Sequence, residues 1–149
     1  MRKYKNINAL FQIDTLSQLN TKTDSSLDII KEGLKLGLNI WITNPDNLTF
    51  YAGRISFLAS KVKDSSLKLY KSKKIYLEKF DFFFIRQDPP FDMKYISNCY
   101  LLELHQKFNK KPFFINDPTG IKNFTEKIFP LYFNNLMPKT MVSSSVKDL

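Results

Sequence analysis

The chain reads as an α/β protein with a mostly parallel sheet flanked by helices, and three stretches predict it. Residues 7–13, 25–36 and 39–43 alternate strand, helix and strand at the spacing of a βαβ unit. The run Phe80-Asp81-Phe82-Phe83-Phe84-Ile85 is short and nearly all apolar, as suits a strand buried on both faces. It stops abruptly at the charged, proline-stiffened Arg86-Gln87-Asp88-Pro89-Pro90-Phe91-Asp92. A helical pattern over 93–108 and an apolar run over 112–115 then repeat the alternation.

The first strand, 7–13, ends at Asp14 and is followed by a polar segment reaching Asp24. Over 25–36, Leu27, Ile30 and Leu34 share one face. Ser25 with Asp28 three residues on resembles a capping box, and Gly37 offers a stop. The second strand, 39–43, is closed by Asn44-Pro45-Asp46-Asn47. Residues 50–57 alternate around Ala52-Gly53 and predict a hairpin or a strand excursion off the main sheet, while the lysine-rich 60–74 predicts exposed connections. The third strand spans 81–86.

In the helix over 93–108, Ile96, Tyr100, Leu104 and Phe108 recur at four-residue steps and predict the apolar face. The fourth strand, 112–115, ends at Asn116-Asp117-Pro118. Residues 120–135 are expected to be largely helical, with Pro130 kinking or stopping the helix. Residues 137–142 could form a further strand. Ser143-Ser144-Ser145 looks like the cap of a helix hardly begun before Leu149, which suggests a fragment.

With 149 residues and 43% hydrophobic content, the chain can bury one ordinary core, and 14 Phe with 7 Tyr make it aromatic. The net charge of +9 makes a polyanionic partner thinkable, but lysine concentrates only over 61–79. A solvated face or hairpin is the plainer account of that stretch than a nucleic-acid surface. One cysteine, Cys99, excludes an internal disulfide, and one histidine, His105, removes any His–Cys zinc constellation. Cys99 is expected to be a small packed hydrophobe and His105 a surface helix residue. No leader pattern follows the basic Met1-Arg2-Lys3-Tyr4-Lys5, and no apolar run is long enough to span a bilayer. A cytoplasmic, reducing location is the expectation. Neither Gly-x-Gly-x-x-Gly nor Gly-x-x-x-x-Gly-Lys-Ser/Thr occurs.

If the second strand lies on one side of the first and the third on the other, the strand order reverses between the first and third. The loops 14–24 and 86–92 then flank a crevice at the switch point, where a small polar ligand is predicted. The helix starting near Ser25 would aim free N–H groups there and favour a carboxylate. Arg86 could add a bidentate contact, and Asp14 and Asp88 could accept from an ammonium. The plainer alternatives are that Asp14 and Asp24 serve as turn and cap residues and that Arg86 only pairs with Asp88 or Asp92.

Ile85-Arg86-Gln87-Asp88-Pro89-Pro90-Phe91-Asp92, followed by Tyr95-Ile96, resembles the Met-Arg-Lys-Asp-Pro-Pro-Phe-Asp signature of prokaryotic glutathione synthetases. Asp14, Asn20, Lys22, Asp24, Ser25 and Ser26 fall in that family's first-loop pattern, and Thr43-Asn44-Pro45-Asp46-Asn47-Leu48 is similar to its Y-T-P-x-D-L. Ile115-Asn116-Asp117-Pro118, Asn123, Glu126-Lys127 and Leu136-Met137-Pro138-Lys139-Thr140 follow later motifs in order. The departures are Thr15 for proline, Thr23 for lysine or glycine, Gln87 for lysine, Lys122 for arginine, and the interrupting Pro130.

The resemblance implies a Rossmann-like (pre-ATP-grasp), substrate-binding domain over 1–118 and the truncated beginning of an ATP-grasp domain over 119–149. It implies a ligase that joins γ-glutamylcysteine to glycine with ATP and Mg2+ (or Mn2+), working as a homo-oligomer without nucleic-acid or membrane partners. The implied substrate-binding residues are Asp14, Asn20, Lys22, Asp24, Ser25, Arg86 and Asp88, with Lys127 contacting ATP. The family's metal ligands and glycine-rich loop lie further on, so no catalytic residue falls within these 149 residues and the isolated chain is expected to be inactive. A non-catalytic remnant and a basic nucleic-acid-binding module are the alternatives.

Overall fold

The computed structural model describes residues 4–20, 23–125 and 127–148. In chain order the strands are β1 (Asn8–Gln12), β2 (Asn39–Thr43), β3 (Leu48–Tyr51), β4 (Arg54–Lys61), β5 (Lys73–Tyr76), β6 (Phe82–Ile85) and β7 (Phe113–Ile115). The helices are α1 (Ser25–Leu36), α2 (Met93–Phe108) and α3 (Pro118–Asn123). The sheet runs β3-β4-β2-β1-β6-β7, with β5 paired to β4. The four-stranded heart, β2-β1-β6-β7, is parallel throughout. Antiparallel β3, β4 and β5 extend it beyond β2.

Successive residues of a strand face opposite sides of the sheet, and β1 divides two cores accordingly. Ala9, Phe11 and Ile13 pack with Leu27 and Ile30 of α1, whereas Leu10 joins Phe83, Ile85 and Leu102 of α2. Phe11 stacks on Phe84 at 4.2 Å between ring centroids. On the other side Phe83 meets Phe57 and Phe114 at 5.3 and 5.6 Å. Full burial of each such ring contributes about 1.5–3 kcal/mol, which makes the aromatic β6 run the centre of both layers.

The α1 cap differs from the sequence expectation. Asp24, not Ser25, is the N-cap, and its carboxylate accepts from the N–H groups of Ser26 at 2.8 Å and Leu27 at 3.1 Å. A carboxylate one residue earlier satisfies two orphan donors and opposes the helix dipole, which a serine hydroxyl does less well. Gly37 closes the helix at φ 93°. Within α1, Gly33 lets the helix lie close on β2, since a Cβ there would stand 3.0 Å from Ile40 Cδ1. The β3–β4 hairpin turns on Ala52 and Gly53, both left-handed, as a two-residue turn requires.

The third strand is shorter than its apolar run. Asp81 stands outside β6, and its carboxylate instead accepts from the Asn8 N–H at 2.9 Å and Lys111 Nζ at 2.6 Å. The stretch 60–74 is less open than expected, because β4 continues to Lys61, β5 begins at Lys73, and Val62 bridges Leu69 between them. Its lysines are partly engaged locally. Lys61 donates to Asn39 Oδ1, and Lys63 and Lys73 sit over the rings of Tyr70 and Trp41.

Helix α2 turns the opposite way to the predicted stripe. Cys99, Leu102 and His105 are buried, while Tyr100, Leu104 and Phe108 are exposed. His105 is therefore a core residue, held by its Nε2 at 2.8 Å from the Lys111 carbonyl and by Asn109 at its Nδ1. Beyond β7, α3 ends at Asn123, and 3-10 turns over Phe129–Leu136 replace the longer helix expected. Residues 137–142 form no strand, and a short 3-10 turn, Val146–Asp148, follows the serines.

Candidate functional site

β1 is flanked by two parallel partners, and α1 and α2 pack on opposite faces. The switch point therefore lies at the carboxyl ends of β1 and β6, where the loops after both strands emerge side by side. Register carries them there: Gln12 pairs with Ile85, and the Arg86 N–H donates to the Gln12 carbonyl at 2.9 Å.

Above this ladder two side-chain clamps join the loops. The Asp88 N–H donates to Asp14 Oδ2 at 2.7 Å, and Gln12 Nε2 donates to Gln87 Oε1. Arg86 points to the α1 side, where its Nε reaches Ser26 Oγ at 3.1 Å and an Nη reaches Ser25 Oγ at 2.8 Å. A guanidinium beside the amino end of a helix places two positive fields together, a pairing that favours an anion between them. Asp24 already occupies the Ser26 and Leu27 N–H groups, so the helix offers fewer free donors than expected and Arg86 carries most of the positive character.

Of the residues predicted for the site, Asp14, Asp24, Ser25, Arg86 and Asp88 converge here. Asn20 enters through its backbone, its carbonyl accepting from the N–H groups of Thr23 and Asp24. Lys22 lies outside the described residues. Among the described residues Arg86 forms an ion pair with neither Asp88 nor Asp92; Asp92 instead caps α2 by accepting from the Tyr95 N–H at 2.9 Å.

Two hollows adjoin the clamps. One of about 210 Å³ lies between the loops after β1 and β2 and is walled by Asp14, Thr15, Thr43, Asn44, Ser60 and Ser72. The other, of about 580 Å³, is walled by Gln87, Pro89, Phe91, Tyr95, Phe124 and Lys127, which brings Lys127 beside the Pro-Pro loop. Burial pushes the Tyr95 hydroxyl up to about 12, with the nearby Cys99, Asp14 and Asp88 adding to it and Arg86 opposing, so it stays a neutral donor. Among the described residues there is no group of three or more His, Cys, Asp or Glu placed to hold a metal ion.

Residues 7–122 match the family model described as prokaryotic glutathione synthetase, N-terminal domain. The chain belongs to that family. Among similar proteins, the glutathione synthetase of Agrobacterium fabrum is 32% identical over 100% of this chain and 47% of its own length. That of Brucella melitensis is 33% identical over 93% of this chain and 45% of its own length. The glutathione synthetase of Buchnera aphidicola is 29% identical over 100% of this chain and 48% of its own length. The chain thus spans about half the length of the curated relatives it matches. The family match contains every clamp residue, from Gln12 to Asp88.

Four residues of the site were not predicted from the sequence, among them Gln87, which figured there only as a departure from the family's lysine. Ser26 stood in the family loop pattern but was not chosen. Tyr95 follows the Pro-Pro signature directly and invited attention. Gln12 sits in an apolar strand run, Ala9-Leu10-Phe11-Gln12-Ile13, where a lone amide was the available signal.

Proposed function

We propose that this chain is the dipeptide-binding half of a glutathione synthetase, which joins γ-glutamylcysteine to glycine at the expense of ATP. The observation that supports it is Arg86 reaching from the end of β6 to both Ser25 and Ser26 at the start of α1. Such a fork, fixed at its far side, matches a carboxylate of the dipeptide and leaves Asp14 and Asp88 to accept from its ammonium. Asn20, Lys22, Asp24 and Ser25 would line the rest of the peptide site. ATP, when bound, would supply the phosphoryl group that activates the cysteinyl carboxylate, and Lys127 would meet its phosphates. The glycine, the ATP and the required Mg2+ or Mn2+ would be held chiefly by residues of the portion that the relatives carry beyond this chain's span.

In this reading 1–118 is the substrate domain and 119–149 opens the ATP-grasp domain. Supporting that division, Phe124, Ile128, Tyr132, Leu136 and Val146 are all half or more exposed, an apolar set suited to further protein packing on it. The family's homo-oligomeric state and a cytoplasmic setting belong to the same proposal. Among the described residues no helix is long and apolar enough to cross a membrane. The lysines of 61–79 serve the protein's own surface here, not a nucleic acid.

The test is calorimetry of the chain with γ-glutamylcysteine, beside Arg86→Ala. Binding that disappears in the variant is expected. Equal heats from the two proteins would remove Arg86, and with it this reading of the crevice.

A further inference from the structure

Gln12 is 1% exposed, and it interrupts a strand whose other side chains are apolar from Ala9 to Ile13. Its position on β1 puts it on the α2 side of the sheet, beyond Leu10 and beside Ile85. There its Nε2 donates to Gln87, while its Oε1 is buried and has no hydrogen-bond partner among the described residues. An amide so placed is a poor stabiliser. A buried acceptor left without a donor loses its water for nothing, whereas an unbranched apolar chain of the same size would fill the space without that loss. A local rule broken inside a core, next to a crevice, points to a role in the site.

The role follows from what Gln87 adjoins. Residues 86–88 leave β6 as one short turn: Arg86 reaches the α1 side, Gln87 the α2 side, and the Asp88 N–H is taken by Asp14. Asp14 secures the turn at Asp88 and Gln12 secures it at Gln87, so the chain just beyond Arg86 is fixed at two successive residues. We infer that Gln12 is a positioning residue, whose amide grips Gln87 and thereby sets the direction in which Arg86 and Asp88 meet a ligand. Gln87 is half-buried, so when released it can turn to water and take the turn with it.

Gln12→Met keeps the length of the side chain and removes the grip. In the 149-residue chain it should leave the Tm unchanged or higher. Hydrogen exchange at the Asp88 N–H and the Arg86 Nε–H should quicken by roughly tenfold, the scale of one lost hydrogen bond. Gln12→Glu combined with Gln87→Lys, which rebuilds the link as an ion pair, should restore slow exchange. Unchanged exchange in Gln12→Met, or a Tm that falls without restoration by the paired variant, would overturn the assignment. The ligand arm rests on the dipeptide reading above: affinity for γ-glutamylcysteine should fall several-fold in Gln12→Met and return in the pair. If the unaltered chain binds no γ-glutamylcysteine, the dipeptide reading fails, and the exchange arm decides the role of Gln12 by itself.

Discussion

The Asp88 N–H donates to Asp14 Oδ2 over 2.7 Å, tying together loops that stand 74 residues apart in the chain. The bond closes the mouth of the switch point from above, as the β1–β6 ladder closes it from below. Asp14→Ala should cost about 1 kcal/mol, since the bond is solvent-exposed but accepted by a charge. Asp14→Asn, which keeps an acceptor oxygen, should cost less. Urea midpoints of the three proteins check the order.

Arg86→Lys tests the fork itself. A lysine is a single point of charge and cannot face Ser25 and Ser26 with two separate N–H groups in a fixed plane. Stability should change by less than about 1 kcal/mol, as for most half-exposed positions, while γ-glutamylcysteine binding is largely lost. Calorimetry set beside thermal melts separates the two effects.

Asp81 should make the fold sensitive to acid. The Lys111 ammonium and then the Asn8 N–H hold its carboxyl below the ordinary value, with burial opposing. A carboxyl with a depressed folded pKa stabilises above its unfolded pKa, near 3.9, and that contribution drains away as pH falls through the lower folded value. Lys111 is largely exposed, so the contribution should be at most about 1 kcal/mol. The stability gap between the chain and Asp81→Asn should be full at pH 7 and shrink as the solution is taken below about pH 4.

Cys99 should be inert in the folded chain. It is 1% exposed, and burial pushes its thiol up to about 11, with Lys122 lowering it and Glu103 raising it. Reaction with a disulfide reagent at pH 8 should wait on unfolding, and so run at least about a hundredfold slower than in denaturant. Fast labelling of the native protein would contradict the packing of α2.

Phe83 carries the central aromatic contacts of the α2-side core and is fully buried. Phe83→Ala should cost about 3–5 kcal/mol, a large part of the stability of a domain this size. Thermal or urea unfolding followed by tryptophan fluorescence would report it, since Trp41 lies in the same cluster.

The parallel heart and its switch point were legible because they depend on strand spacing and on an apolar run with a sharp end. Asp14, Ser25, Arg86 and Asp88 could be foreseen as neighbours for the same reason, since each sits at an end of a predicted element or just beyond it. The orientation of α2 was not legible. That helix has apolar residues on more than one side, and counting His105 as polar hid the stripe Cys99, Leu102 and His105 behind the more hydrophobic Tyr100, Leu104 and Phe108. What decided the matter was a backbone acceptor, the Lys111 carbonyl, supplied from outside the helix. The grip of Gln12 on Gln87 was hidden likewise, because a strand pattern gives no hint of which loop residue will return to meet it.

The pairing of Gln12 with Ile85 has one more consequence. Neighbouring residues leaving β6 alternate between the two sides of the sheet, so sliding that strand by a single position would exchange the destinations of Arg86 and Gln87. The cation would turn toward α2 and the amide toward the serines. Backbone alignment thus works as the ruler of this crevice, and loops can vary in composition while the distance between their opposing groups stays the same.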